Sequence, residues 1–246
     1  FIYASSCSVY GTGSYLMLDE YSPVNPQTPY SKNKINIEEY LKSISGDDFN
    51  PVMLRFATVF GYSPRMRFDL YINQFVGMAI TEKKIKLNSD GMAWRPNLYI
   101  LDIPLVLHRA INKNFSKPTI INIGNEESNY KVIDIIKEII SIDNDISIDI
   151  LQNDENSLYK DQYVLSKKDN RSYQVNFSRM KELLGKNLCS TTVQSGIKTL
   201  IDKLKVVPDL ERKIKDPRFF RLQWTKKLLA DKIIDKSFKY INGNSK

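Results

Sequence analysis

The chain is poor in the residues on which several common chemistries depend. Only two cysteines, Cys7 and Cys189, occur in 246 residues. Neither has a partner at metal-ligand spacing, so no disulfide framework and no metal site are expected. The single histidine, His108, falls on an expected helix and reads as structural. No apolar run approaches the length needed to cross a bilayer. The start, Phe1-Ile2-Tyr3-Ala4-Ser5-Ser6, lacks the basic and apolar regions of a signal peptide. A reduced, cytoplasmic setting without membrane contact is therefore the expectation. Zinc-finger spacing, RNA-binding aromatic motifs, a bZIP pattern and internal repeats are missing too.

What is present is 42% hydrophobic and 26% charged, a composition suited to one large core or two modest ones. The net charge of +8 invites a nucleic-acid reading, but the excess is local. From Lys198 onward there are 14 basic and 6 acidic residues, which accounts for all of it. A solvated helical face explains such a tail, and nucleic acid is not expected as a partner. Phe219, Phe220 and Trp224 within it read as tail packing or a subunit contact.

The first residue is Phe1, and Phe1 to Ala4 reads as a buried strand already in progress. A piece of a longer protein is expected. A polar turn region runs on from Ser5 to Pro29, then a helix to about Ser43 with Ile35, Ile37, Tyr40 and Leu41 on its inner stripe. Further strands are expected at Pro51 to Phe56, Lys84 to Leu87, Asn97 to Ile100 and Thr119 to Ile123. Helices are expected at Phe68 to Thr81, Ile103 to Ile111, Tyr130 to Ile140, Phe177 to Leu184 and Val193 to Leu204. Loops are expected from Ala57 to Arg67 and from Asn153 to Asp161. This alternation indicates an α/β fold with a largely parallel sheet.

One constellation carries chemistry. Tyr30-Ser31-Lys32-Asn33-Lys34 places a phenol and an ammonium at i and i+4, one above the other on a helix. An ammonium beside a phenol favours the phenolate, which suits a general acid/base. Alone the pattern is weak, since Tyr163 and Lys167 repeat it without supporting context. Ser6 supplies the context. It lies at the carboxyl end of a strand, where ligands of open α/β sheets bind, and a Pro-rich segment leads from it to Tyr30.

These residues resemble the extended short-chain dehydrogenase/reductases, the NAD-dependent nucleotide-sugar epimerase/dehydratase family. The likeness runs from residue 1 to about 205. It includes Ser5-Ser6-Cys7-Ser8-Val9-Tyr10-Gly11, Pro26-Gln27-Thr28-Pro29-Tyr30-Ser31-Lys32-Asn33-Lys34, Leu54-Arg55-Phe56-Ala57-Thr58-Val59-Phe60-Gly61, Trp94-Arg95-Pro96 and the segment from Asp169 to Val175. The resemblance implies the C-terminal part of a Rossmann-type parallel sheet (1–60 and 119–145), a smaller α/β substrate-binding domain (61–118 and 146–205) and a basic helical tail (206–246). It implies an enzyme in which Ser6 hydrogen-bonds the reacting oxygen, Tyr30 shuttles its proton and Lys34 holds the nicotinamide ribose. Ala4, Ser5, Phe56, Thr58 and Val59 would border the cofactor, NAD or NADP with NAD favoured. Cys7, Ser8, Thr58, Arg67, Asn73, Arg95 and Arg171 would line the nucleotide-sugar, with Arg95 on the diphosphate, a choice that bidentate Arg–phosphate pairing favours. A homodimer is implied as well.

Two departures shape the expectation. The family's Gly-rich pyrophosphate turn is absent; Gly11-Thr12-Gly13 is the nearest imitation, and position 16 is Leu16. These residues alone are thus expected to bind cofactor poorly. Sugar 4,6-dehydratases of the family carry Asp-Glu after the catalytic hydroxyl, where this chain has Cys7 and Ser8, so epimerisation or keto-reduction is expected and 4,6-dehydration is disfavoured. The competing reading is a non-catalytic binding or scaffold protein on the same fold, with the basic tail as its contact surface.

Overall fold

The computed structural model describes residues 1–150 and 171–241, with the backbone alone over 13–16. The segment expected as a loop from Asn153 to Asp161, and the second Tyr–Lys pair at Tyr163 and Lys167, lie outside the described residues. Along the rest run β1 (Ile2–Ser6), β2 (Thr12–Leu18), α1 (Pro29–Ser43), β3 (Val52–Phe56), β4 (Thr58–Phe60), α2 (Tyr71–Glu82), β5 (Lys84–Leu87), β6 (Trp94–Tyr99), α3 (Ile103–Ile111), β7 (Thr119–Ile123), β8 (Asn129–Lys131), α4 (Val132–Ile142), β9 (Ser147–Ile150), β10 (Ser172–Val175), α5 (Ser178–Leu184), α6 (Val193–Lys205), α7 (Leu210–Lys213) and α8 (Arg221–Ala230).

The fold is α/β. A Rossmann-like parallel sheet has the order β1-β3-β7, and further α/β elements surround it. Val52, Met53, Leu54, Ile121 and Ile123 are all buried, the continuous apolar run of a sheet covered on both faces. Register sets Ser6 beside Phe56 and Phe56 beside Ile123, so the three carboxyl ends finish level. Elsewhere β6 lies between β4 (parallel) and β8 (antiparallel), β2 pairs in parallel with β10, and β5 with β9.

Two apolar cores result. One gathers α2, α4 and α6 around Phe75, Ile136 and Leu200, and the tail adds Leu210 and Phe220. The other centres on the sheet, with Leu54, Ile121 and Ile123 against Val175 and Phe177. No helix among the described residues is long and apolar enough to cross a membrane.

Several boundaries differ from expectation for identifiable reasons. The helix expected from Phe68 begins at Tyr71, because the Phe68 ring packs at a tilt against Phe219, 5.9 Å between centroids, and its N–H donates to the Phe219 carbonyl. The helix expected from Tyr130 begins at Val132, because Asn129 to Lys131 pair with Trp94 to Pro96. The polar stretch after Ser5 contains β2, whose partner β10 lies far along the chain. On α1 the buried stripe is Ser31, Ile35, Glu38 and Leu41, whereas Tyr40 is exposed.

Candidate active site

The site is assembled where β1 ends. The Ser6 hydroxyl accepts from the Ser8 N–H at 3.2 Å and caps a 3₁₀ turn, Cys7–Tyr10. Gly11 closes that turn with φ of 62°, and a Cβ there would fall 1.8 Å from the Asn25 carbonyl oxygen. Glycine is required for both reasons. The chain then returns to start α1 directly over β1. Thr28 and Ser31 form a reciprocal capping box, each side-chain oxygen accepting the other's backbone N–H at 3.1 Å, and Pro29 occupies the first turn.

This start fixes the face that α1 turns toward the strand end. Lys34 Nζ donates to the Ala4 carbonyl at 2.6 Å. The same ammonium lies 4.7 Å from the Tyr3 ring centroid and 5.4 Å from that of Tyr30. Burial lowers the Lys34 pKa, and the charge of Glu38 opposes that shift. Tyr30 is 57% exposed, so its phenol opens to solvent rather than into the core. The Tyr3 and Ser8 hydroxyls are buried without a hydrogen-bond partner among the described residues.

Behind this corner runs a buried polar network. Glu38 on α1 and Arg55 on β3 form an ion pair at 2.7 Å, their side chains 2% and 4% exposed. Arg55 Nε adds a bond of 3.0 Å to the other carboxylate oxygen. Ser5 donates to Glu38 at 2.5 Å, and Arg55 Nη1 donates to the Tyr10 hydroxyl at 3.1 Å. Tyr10 in turn faces the Asp19 carbonyl at 2.8 Å and Asn122 Oδ1 at 2.9 Å. Burial works against the Arg55 charge, but Glu38 and Tyr10 outweigh it and raise its pKa.

The other expected site residues fall into distinct groups. Cys7 is 1% exposed; its thiol donates to the Arg55 carbonyl at 3.1 Å, and burial pushes its pKa up. Phe56, Thr58 and Val59 are half-buried around the step from β3 to β4. Asn73 is buried and fastens the following loop, accepting from Gly61 N–H at 3.0 Å and donating to the Arg67 carbonyl at 3.1 Å. Arg67 itself makes a two-pronged bond with Asp69 at 2.9 and 2.8 Å. Arg95 is buried rather than a surface charge: it donates to the Trp94 carbonyl at 2.9 Å and to that of Arg171, and its guanidinium faces the Tyr173 ring. His108 lies on the exposed face of α3.

Glu38 escaped the sequence reading. The signal was there, however: a carboxylate on the inner stripe of α1 and an arginine inside an apolar strand are two opposite charges at core positions.

A family model described as "NAD dependent epimerase/dehydratase family" matches residues 1–124. A putative UDP-glucose 4-epimerase of Methanocaldococcus jannaschii is 32% identical over 143 residues, covering 55% of this chain and 45% of that protein. The dTDP-D-glucose 4,6-dehydratase of Homo sapiens is 30% identical over 146 residues, covering 58% of this chain and 40% of that protein. The chain thus spans about half the length of the curated relatives it matches. Its fold is also that of the UDP-glucuronic acid 4-epimerase of Bacillus cereus, solved with UDP-glucuronic acid and NAD. The TM-score is 0.67 at 23% identity, over 82% of this chain and 60% of that one.

One expectation is corrected by these likenesses. Dehydration was disfavoured on Cys7 and Ser8, yet dehydratases stand among the relatives beside epimerases. The physical reason is that the two residues after the strand-end serine decide only what sits at those positions. An acid or base for elimination can reach a substrate from any element that borders the site.

Proposed function

The chain belongs to the NAD dependent epimerase/dehydratase family, and from that premise we propose that Ser6, Tyr30 and Lys34 are the proton-handling part of a redox site for a nucleotide-sugar. The observation that carries this is the meeting of α1 with the end of β1, where one ammonium touches both the Ala4 carbonyl and the Tyr30 ring face.

The residues present suit the nicotinamide end of NAD, the cofactor of the Bacillus cereus enzyme. Lys34 carries three N–H donors, and the Ala4 carbonyl takes one of them. The orphaned Tyr3 and Ser8 hydroxyls lie at the same corner. Lys34 and Tyr30 would hold the ribose, with Ala4, Ser5, Phe56, Thr58 and Val59 along the border. When bound, NAD would supply the acceptor for the hydride that leaves the sugar carbon. Tyr30 removes the proton of the hydroxyl on that carbon through its phenol oxygen, and Ser6 orients the same oxygen by a hydrogen bond. Lys34 stabilises the negative charge passing through Tyr30. Oxidation of the sugar hydroxyl is the step we assign; the fate of the oxidised sugar, epimerisation or loss of water, depends on groups that reach it afterwards.

Arg95 is the diphosphate contact we favour, being buried and oriented by carbonyls, with Arg67, Asn73 and Arg171 as further candidates beside Cys7, Ser8 and Thr58. The homodimer, the division into dinucleotide and substrate domains, and a reduced cytoplasmic setting suited to two buried free cysteines belong to the same proposal. The test is to incubate the whole protein that carries these residues with NAD and a panel of nucleotide-sugars, following reduced nicotinamide by absorbance and the sugar by NMR. At least one nucleotide-sugar is expected to be oxidised, epimerised or dehydrated. A panel that leaves every sugar unchanged with NAD bound would overturn the reading.

A further inference from the structure

Resting on that reading of the site, we propose that Glu38 and Arg55 are positioning residues, whose ion pair clamps α1 to the end of β1 and so sets the geometry of Ser6, Tyr30 and Lys34. Neither residue faces the solvent-exposed corner where substrate would lie. They act through the residues they hold.

The clamp grips both partners of the site. On the strand side the Glu38 carboxylate takes the bond of one neighbour of Ser6, and the Arg55 backbone takes that of the other. Ser5 donates to the Glu38 carboxylate at 2.5 Å, and Cys7 donates to the Arg55 carbonyl at 3.1 Å. Arg55 lies directly beside Ser5 in the β1–β3 register, so the Ser5 bond ties the end of β1 to α1 and the Cys7 bond ties it to β3. On the helix side, Glu38 is one turn beyond Lys34 and two beyond Tyr30. Spacings of i+4 and i+8 put all three along one side of α1. Any rotation of α1 that moves Tyr30 must also pull Glu38 off Arg55.

Arg55 has no freedom to follow. Nε and Nη2 hold the carboxylate as a fork, at 3.0 and 2.7 Å. From the other side the Tyr10 hydroxyl accepts from Nη1, and the Tyr10 ring lies 5.2 Å from the guanidinium carbon. A forked Arg–carboxylate bond fixes angle as well as distance, which a hydrophobic contact does not. Stability alone is a weak reason for such a pair, since desolvating two charges is expensive and apolar residues of like volume are commonly as stable. Orientation is what the fork adds. Catalytic geometry is sensitive on this scale: a misplacement of about 1 Å can cost about 100-fold in rate.

The experiment replaces the pair together, as Glu38→Leu with Arg55→Met, so that no buried charge is stranded and the fold is kept. Urea denaturation is expected to keep one cooperative transition, with its midpoint lowered only by the Ser5 and Tyr10 bonds that the pair leaves unmade. Turnover is expected to fall about 100-fold, while KM for the nucleotide-sugar changes by less than about threefold. Adding Tyr30→Phe to the pair should lower turnover no further than Tyr30→Phe alone, because both act on one proton transfer. Without cofactor, the NMR signal of ring-labelled Tyr30 should move in the double variant. Arg55→Lys, which keeps the charge but loses the fork, provides a second variant: turnover falls while the fold and KM hold. A stable double variant, or a stable Arg55→Lys, with turnover within about twofold of normal would overturn this inference alone. Turnover unaffected by Tyr30→Phe would overturn the reading of the site, and this inference with it.

Discussion

Replacing Tyr10 with phenylalanine removes one buried oxygen and leaves the ring, so its effect can be worked from the bonds that oxygen makes. The side chain is 1% exposed. The hydroxyl accepts from Arg55 Nη1 at 3.1 Å, and its single proton is shared between the Asp19 carbonyl at 2.8 Å and Asn122 Oδ1 at 2.9 Å. Three contacts are therefore worth two hydrogen bonds, one of them to a charge. A bond to a charged group contributes about 1.5–3 kcal/mol and a neutral one about 0.5–1.5 kcal/mol. The sum is about 2–4.5 kcal/mol, or a drop in Tm of roughly 4–18 °C for a chain of this size. The ring packing against Tyr173 at 6.4 Å is retained, so no cavity adds to it. Urea denaturation followed by circular dichroism should show a lower midpoint at unchanged slope. A loss below about 0.5 kcal/mol would refute the reasoning, because it would mean the Arg55 donor finds another partner at no cost.

The tail should prove part of the folded unit: Phe220 is 6% exposed in the α2–α4–α6 core, and Phe220→Ala should cost about 3–5 kcal/mol and speed proteolysis after Val206. Gly61 has φ of 126°, and a Cβ there would meet Ile100 at 2.7 Å, so Gly61→Ala should destabilise by about 1–3 kcal/mol or more in the same denaturation assay. Burial resists ionisation of Glu126, but Lys181 at 2.5 Å and the Phe177 N–H at 3.0 Å hold its carboxyl below the usual range. Its stabilisation is present above the unfolded value of about 4.3 and is lost as pH falls through the lower folded value. Glu126→Gln should therefore flatten the acid limb of Tm against pH, and an unchanged limb would count against the pairing.

The fold's alternation of strands and helices was legible because its parallel strands are short runs of Val, Ile and Leu bounded by turn residues. Strand pairings that join distant segments were not. β2 sits in a Ser- and Gly-rich stretch and is a strand only because β10, more than a hundred residues on, lies beside it. β8 was absorbed into a helix because periodicity carries no sign of the antiparallel partner supplied by β6. At the site, Tyr30 and Lys34 were visible through helical spacing, and Ser6 through its place after a strand. Glu38 was passed over because a lone carboxylate in a helix normally marks the solvent face, and its match to the arginine inside β3 is visible only when the two segments are read together. Dehydration was wrongly disfavoured because too much weight rested on Cys7 and Ser8, whose polar atoms are both buried.

Tyr30→Phe tests the central claim most directly. It removes the phenol oxygen from an exposed side chain whose ring stays beside Lys34, so the fold should persist and NAD should still bind through Lys34. Turnover of whichever nucleotide-sugar the protein accepts should fall by about 100- to 10,000-fold, the usual contribution of a general acid/base. Turnover within about threefold of the unaltered protein, with NAD still bound, would contradict the account.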